Sequence, residues 1–228
     1  MTPMLLAAAL FLGTHLGISS TGLRGQLVKA LGERGYVALY VLLAFATLGY
    51  LIWLYNGLPR YEYYWMPSPA LYLTAKLLMP IALIFAVGGF LVKNPTNLGM
   101  ERLLRDGAGI ELARGVTRIT RHPFQWGVLL WATAHLIANG DTNSVVFFGT
   151  FVVLSSLGTV LLDRKKAAAS GADWQAYAEA TSNFPFLAII QGRNRLAPGE
   201  MWQPLLAGLA VYALLFWGHE WVGGVRIV

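Results

Sequence analysis

Two histidines sit deep inside apolar runs of this 228-residue chain, and they are the residues with the most chemistry to offer. His15 lies within Met4 to Ile18, and His135 lies within Phe124 to Ile137. An ionisable side chain at membrane depth is costly enough to need a partner, so each is a candidate functional residue. A lone membrane histidine is commonly accounted for by a hydrogen bond to a neighbouring helix. A pair of neutral imidazoles facing each other across a bundle has a second use, because it can hold a haem iron from both sides. His122 cannot share an iron with His135, since 13 helical residues separate them by roughly 20 Å. His219, in Trp217-Gly218-His219-Glu220-Trp221, is a reserve ligand near the outer end of its segment.

The elements that must position these residues are membrane helices. The chain is 56% hydrophobic and 12% charged, with a mean hydropathy of +0.55, whereas soluble domains carry about 25% charged residues. About 20 apolar residues cross a bilayer core. Stretches of that kind fall at roughly 3–20, 36–55, 70–92, 123–139, 143–162 and 203–222. The expected fold is an all-α integral membrane protein, a bundle of about six transmembrane helices with short amphipathic surface helices. It forms a single domain over residues 1–228. No Lys or Arg precedes the first apolar run, so that run is expected to be retained as a helix and not to act as a signal peptide.

Charge gives the topology. Of the 17 Lys and Arg, 14 fall in the connections 21–35, 93–122 and 163–202. The positive-inside rule then places those connections in the cytoplasm and both termini on the outer side. The pI near 9.7 is thereby explained through anionic lipid, and no nucleic-acid-binding motif accompanies it. The absence of cysteine rules out disulfides, thiolate ligands and a cysteine nucleophile. No phosphate loop, zinc-protease helix or nucleophile elbow is present.

Several local readings follow. Ala9, Gly13 and Gly17 form a small-residue stripe suited to close helix approach. Gly22 to Gly35 and Asp173 to Ala180 read as short surface helices, and Phe184-Pro185-Phe186 as a re-entry into the membrane face. Tyr61, Tyr63, Tyr64 and Trp65 suit the headgroup layer. Lys76 can snorkel outward. Arg114, Arg118 and Arg121 recur at i, i+4 and i+7, one face of a helix. They would meet anions there: lipid headgroups or, for Arg118 and Arg121, haem propionates. Asn139-Gly140-Asp141 reads as a tight turn joining two antiparallel helices.

Arg118-Ile119-Thr120-Arg121-His122-Pro123, with Gly127, Trp131, Ala134-His135 and Asn139-Gly140, resembles the NnrU family of bacterial membrane proteins and the ζ-carotene isomerases of plants and cyanobacteria. His15, Gly32-Glu33-Arg34, Phe184-Pro185-Phe186, Ala188-Ile189-Ile190 and Gly192-Arg193 extend that resemblance over nearly the whole chain. It implies b-type haem with His15 and His135 as axial ligands, and an apolar small-molecule substrate met in the lipid. It leaves open a haem-dependent isomerase, a redox enzyme, or a factor linked to denitrification and nitric oxide metabolism. Where the plant isomerase has a Cys three residues before its second axial His, this chain has Ala132. Arg121-His122-Pro123 with Gly171, Trp174, Tyr177 and Pro185 also resembles isoprenylcysteine and phospholipid methyltransferases, which use S-adenosylmethionine. The paired acids those enzymes carry are missing after Asp163.

Overall fold

A computed structural model describes residues 1–19, 21–60, 62–97, 100–104 and 110–227, so Tyr61 of the aromatic loop lies outside the described residues. The fold is all-helical, with no strand among the described residues. Helix α1 spans Thr2–Leu12 and runs into a π-turn at Gly13–Ile18. Helices α2 (Leu23–Gly57), α3 (Pro69–Leu91), α4 (Pro123–Ala138), α5 (Thr142–Ala180), α6 (Leu187–Ile190) and α7 (Trp202–Gly223) follow. Four of them, α2, α3, α5 and α7, are long and apolar enough to cross a membrane. The other two expected spans are shorter: Thr2–Ile18 is a 17-residue apolar helix, and α4 has 16 residues. Large apolar side chains stand exposed along the long helices, among them Phe45 on α2, Leu77 on α3 and Trp217 on α7. Acyl chains are the solvent that makes such surfaces stable.

The residues cluster in two compact units, Met1–Ala75 with Ala132–Gly158 and Lys76–Trp131 with Thr159–Val228. The boundaries fall inside α3, α4 and α5.

In the first unit, Pro3 opens α1, where a missing N–H costs nothing. The buried face of α1 is Met4, Ala7, Ala8 and Phe11, the i, i+3, i+4, i+7 pattern of a packed helix. The expected stripe at Ala9, Gly13 and Gly17 is therefore not the packing face. Ala9 is exposed, and space is open where a Cβ would stand at Gly13 and Gly17. Helix α5 is capped by Asp141, whose carboxylate accepts the Ser144 N–H at 3.0 Å and the Ser144 hydroxyl at 2.6 Å. The aromatic loop straps onto the α4–α5 turn. The Tyr64 N–H donates to Gly140 O and the Thr142 N–H to Glu62 O, both at 2.8 Å. The Trp65 indole donates to Ile137 O at 3.1 Å. A Cβ at Gly140 would lie 1.8 Å from the Trp65 carbonyl oxygen, so only glycine fits that crossing.

The two longest helices are each broken at a glycine. Gly32 in α2 has φ 72° and Gly171 in α5 has φ 48°, conformations that L side chains resist. The breaks set apart residues 23–31, a piece shorter than the expected Gly22 to Gly35, and residues 172–180, close to the expected Asp173 to Ala180. In the second unit, the expected helical face of Arg114, Arg118 and Arg121 does not form. Arg114 is extended (φ −133°, ψ 151°) and Gly115–Arg118 is a single 3₁₀ turn, so the three arginines diverge. Thr117 causes this locally: its hydroxyl bonds the carbonyls of Leu112 and Arg114 and accepts the Arg114 N–H, which commits the backbone to a turn.

Candidate functional site

His15 stands in the middle of the π-turn. In an α-helix the Phe11 carbonyl would take the backbone N–H of residue 15. Here it accepts the Thr14 hydroxyl at 2.9 Å and the His15 Nδ1–H at 2.9 Å. Side-chain donors thus occupy the carbonyl that the regular ladder would use, and π-turns of this kind are frequent at functional sites. The chemical consequence is a fixed tautomer. A carbonyl can only accept, so Nδ1 carries the proton and Nε2 keeps its lone pair. A histidine ligand oriented through its other ring nitrogen by a backbone carbonyl is the common arrangement in metal sites. The ring lies 4.2 Å from the Phe11 ring and 6.0 Å from the Tyr40 ring.

His135 belongs to the same unit, on the last turns of α4. Its ring stacks on Phe148 of α5 at 4.9 Å and 25°. The flanking Ala132 and Ala134 are fully buried. Ring contacts run without interruption from one histidine to the other. His15 touches Phe11, Phe11 touches Phe151 at 5.5 Å, Phe151 touches Phe147 at 5.3 Å, and Phe147 touches Phe148 at 5.1 Å beneath His135. Tyr55 of α2 stacks on Phe147 at 4.3 Å and donates its hydroxyl proton to Ser144 at 3.1 Å. This is an apolar, aromatic environment with two imidazoles in it.

The second unit holds the Arg-His-Pro block. His122 is fully buried, with Nε2 2.6 Å from Asp163 Oδ1. Arg121 donates to the same carboxylate through Nε at 3.0 and 3.2 Å and through Nη2 at 3.1 Å, and Nη1 reaches Ala178 O at 3.0 Å. Asn183 adds a fourth donor group at 3.3 Å. Burial pushes the His122 pKa below its ordinary value, partly offset by Asp163. The neutral ring therefore gives its one proton to Asp163, and Nδ1 has no hydrogen-bond partner among the described residues. Arg118 makes a second pairing. Its Nε and Nη2 grip the two oxygens of Glu200 at 2.8 and 2.9 Å, and Nη1 donates to Asn194 at 2.9 Å. The bond from Arg118, with the Gly115 N–H at 2.7 Å, holds Glu200 down to about 2 and raises Arg118. Both arginines expected to meet propionates are thus bonded to carboxylates of the chain. His219 accounts for one nitrogen with Val225 O at 2.7 Å.

Reasoning from sequence had not singled out Asp163 or Glu200 as partners. Asp163 carries no local signal beyond its place next to Arg164, Lys165 and Lys166, and Glu200 none beyond its charge. The π-turn had none either, although Thr14 beside His15 supplies the donor that competes with the helix.

Two features fit a haem: His15 has an oriented imidazole with Nε2 free of its carbonyl bond, and His135 lies in the same unit. Among the described residues no group of three or more His, Cys, Asp or Glu stands together as a protein-only metal site.

Comparison with known proteins gives two chloroplastic relatives. The chain is 27% identical to 15-cis-zeta-carotene isomerase of Arabidopsis thaliana, over 97% of this chain and 60% of that protein. It is 28% identical to the enzyme of the same name from Zea mays, over 85% of this chain and 52% of that protein. The chain therefore spans little more than half the length of these curated relatives. No solved structure matches. The family model described as NnrU protein matches residues 3–227, and on that match this multi-helix membrane chain belongs to the NnrU family.

Proposed function

We propose that this chain is a b-type haem protein of the membrane, with His15 and His135 as axial ligands, acting as an isomerase on an apolar, conjugated substrate drawn from the lipid. The observation that carries the reading is the His15 π-turn, in which a backbone carbonyl takes the Nδ1 proton and reserves Nε2 as a ligand atom. The names of the two relatives supply the reaction class. A bound haem supplies one-electron chemistry at iron. The chain's own residues do the rest. Phe11 O and Thr14 hold the His15 ring, and Phe148 holds the His135 ring by stacking. Phe11, Phe147 and Phe148, all buried, surround these rings with apolar side chains and keep the local dielectric low. Arg118 and Arg121 are already paired with Glu200 and Asp163, so haem retention in the Arg118→Gln and Arg121→Gln variants tests whether either is needed for propionates.

The test is the visible spectrum of the protein purified in mild detergent after expression with ample haem. Six-coordinate, low-spin b-type haem is expected, because two imidazoles fill both axial positions. His15→Ala and His135→Ala should each lose haem or leave five-coordinate, high-spin iron, while His122→Ala should not. A colourless wild-type protein would end the reading. An unchanged His15→Ala spectrum, with loss in His219→Ala, would move the ligand to His219.

A further inference from the structure

The second unit carries an open surface cavity of about 760 Å³ that no histidine lines and that the Arg-His-Pro block meets only through Arg121. Its size lies within the range of small-molecule sites, roughly 300–1,000 Å³. Its lining combines the apolar side chains of Val160, Phe184 and Leu187 with the polar ones of Gln175, Glu179 and Arg193. The break at Gly171 creates this geometry, because it sets residues 172–180 apart as a separate helix with Gln175 and Glu179 one turn apart.

The polar side chains are held in place by internal bonds and keep two free valences. Gln175 donates to Glu179 Oε1 at 3.0 Å, and Oε2 has no partner among the described residues. Arg193 Nε donates to Gln191 at 2.9 Å, and Nη1 donates to Thr181 O at 2.8 Å and to Glu179 O. Those carbonyls lie at and just past the end of α5, so the guanidinium is fixed as a helix cap. Its Nη2 has no partner among the described residues. The Arg121 charge on the same cavity is already met by Asp163. What the lining offers a ligand is one cationic edge and one carboxylate oxygen. Phe184 in that lining is 62% exposed, and Ile190, on the same short helix as Leu187, is 79% exposed, a surface suited to acyl chains in a protein that crosses a membrane.

We propose that this cavity binds a zwitterionic phospholipid with an ethanolamine head: phosphate on Arg193, ammonium on Glu179, and an acyl chain along Val160, Phe184 and Leu187. The site stands independently of the haem reading. An anionic lipid would satisfy Arg193 and leave Glu179 facing like charge. A soluble head without tails would forgo the apolar side chains.

Native mass spectrometry of the delipidated full chain, titrated with phosphatidylethanolamine, phosphatidylglycerol or glycerophosphoethanolamine, tests this. One phosphatidylethanolamine per chain should be retained in preference to phosphatidylglycerol, and glycerophosphoethanolamine should not be retained. Glu179 is exposed and outside the core, so Glu179→Gln should fold normally by circular dichroism. It should cut the preference for phosphatidylethanolamine about three- to tenfold, the size of a charge-assisted hydrogen bond at a partly wet site. Arg193→Lys, which keeps the charge and loses the fork, should weaken both lipids. Equal retention of the two lipids, or an unchanged preference in Glu179→Gln, would overturn the ethanolamine assignment. Retention of glycerophosphoethanolamine as tightly as lipid would overturn the lipid as occupant.

Discussion

Replacing Asp163 with Asn keeps the shape of the side chain and removes the charge on which the Arg-His-Pro block converges. In the wild type, that carboxylate takes hydrogen bonds from Arg121, His122 and Asn183. Arg121 is 14% exposed and Asp163 is 21% exposed, while the His122 side chain is fully buried. Breaking a fully buried pair by removing one partner costs about 3–5 kcal/mol, because the other charge is stranded. The residual exposure here places Asp163→Asn at the lower end, about 3 kcal/mol. Arg121→Gln should cost a similar amount, since it strands the carboxylate. The double variant has no stranded charge, so its cost should fall short of the sum of the singles by about 2 kcal/mol, a coupling typical of contacting residues. Reversible unfolding in mixed detergent micelles measures all three. Trp174, whose ring lies 5.7 Å from the Arg121 guanidinium, provides a local fluorescence signal. Additivity within about 0.5 kcal/mol would show that the two groups do not act as a pair and would refute the argument.

The Arg118–Glu200 pairing makes stability pH-dependent with a definite sign. Glu200 is held at about 2 against an ordinary 4.5, so its contribution is complete above pH 4.5 and is lost as the pH falls toward 2. At a carboxylate one-third exposed, screening limits that contribution to about 1 kcal/mol; a Glu200→Gln variant should lose the acid-side slope, and an unchanged slope would refute it. Gly140→Ala should be strongly destabilising, by about 3 kcal/mol or more, because its Cβ would meet the Trp65 carbonyl at 1.8 Å; a melting temperature within a degree of wild type would show that the loop is not strapped to the turn. Topology reporters fused after residues 60, 141 and 224 should all read the same side, opposite to fusions after 102 and 180. A reporter at 224 reading with the one at 180 would sink the six-span arrangement.

The membrane class, the helical fold and most helix positions were legible in the sequence, because lipid leaves the chain few options. Without water in the bilayer core, backbone groups must be satisfied within a helix, so a run of about 20 apolar residues carries its structure with it. Surface pieces near Gly22 to Gly35 and Asp173 to Ala180 were legible from charge and amphipathic pattern, but the breaks at Gly32 and Gly171 were not. His15 and His135 stood out for the same reason, as costly groups in apolar runs. Tertiary structure alone decided the rest. The packing face of α1 follows from what α1 meets, and the small residues at Gly13 and Gly17 turned out to border open space instead. Arg114, Arg118 and Arg121 had helical spacing, but the Thr117 hydroxyl turned their backbone and sent each guanidinium elsewhere. The partners of Arg118 and Arg121 lie 82 and 42 residues away. A salt bridge between such residues has no local pattern, because only the folded chain brings the two charges within hydrogen-bond distance.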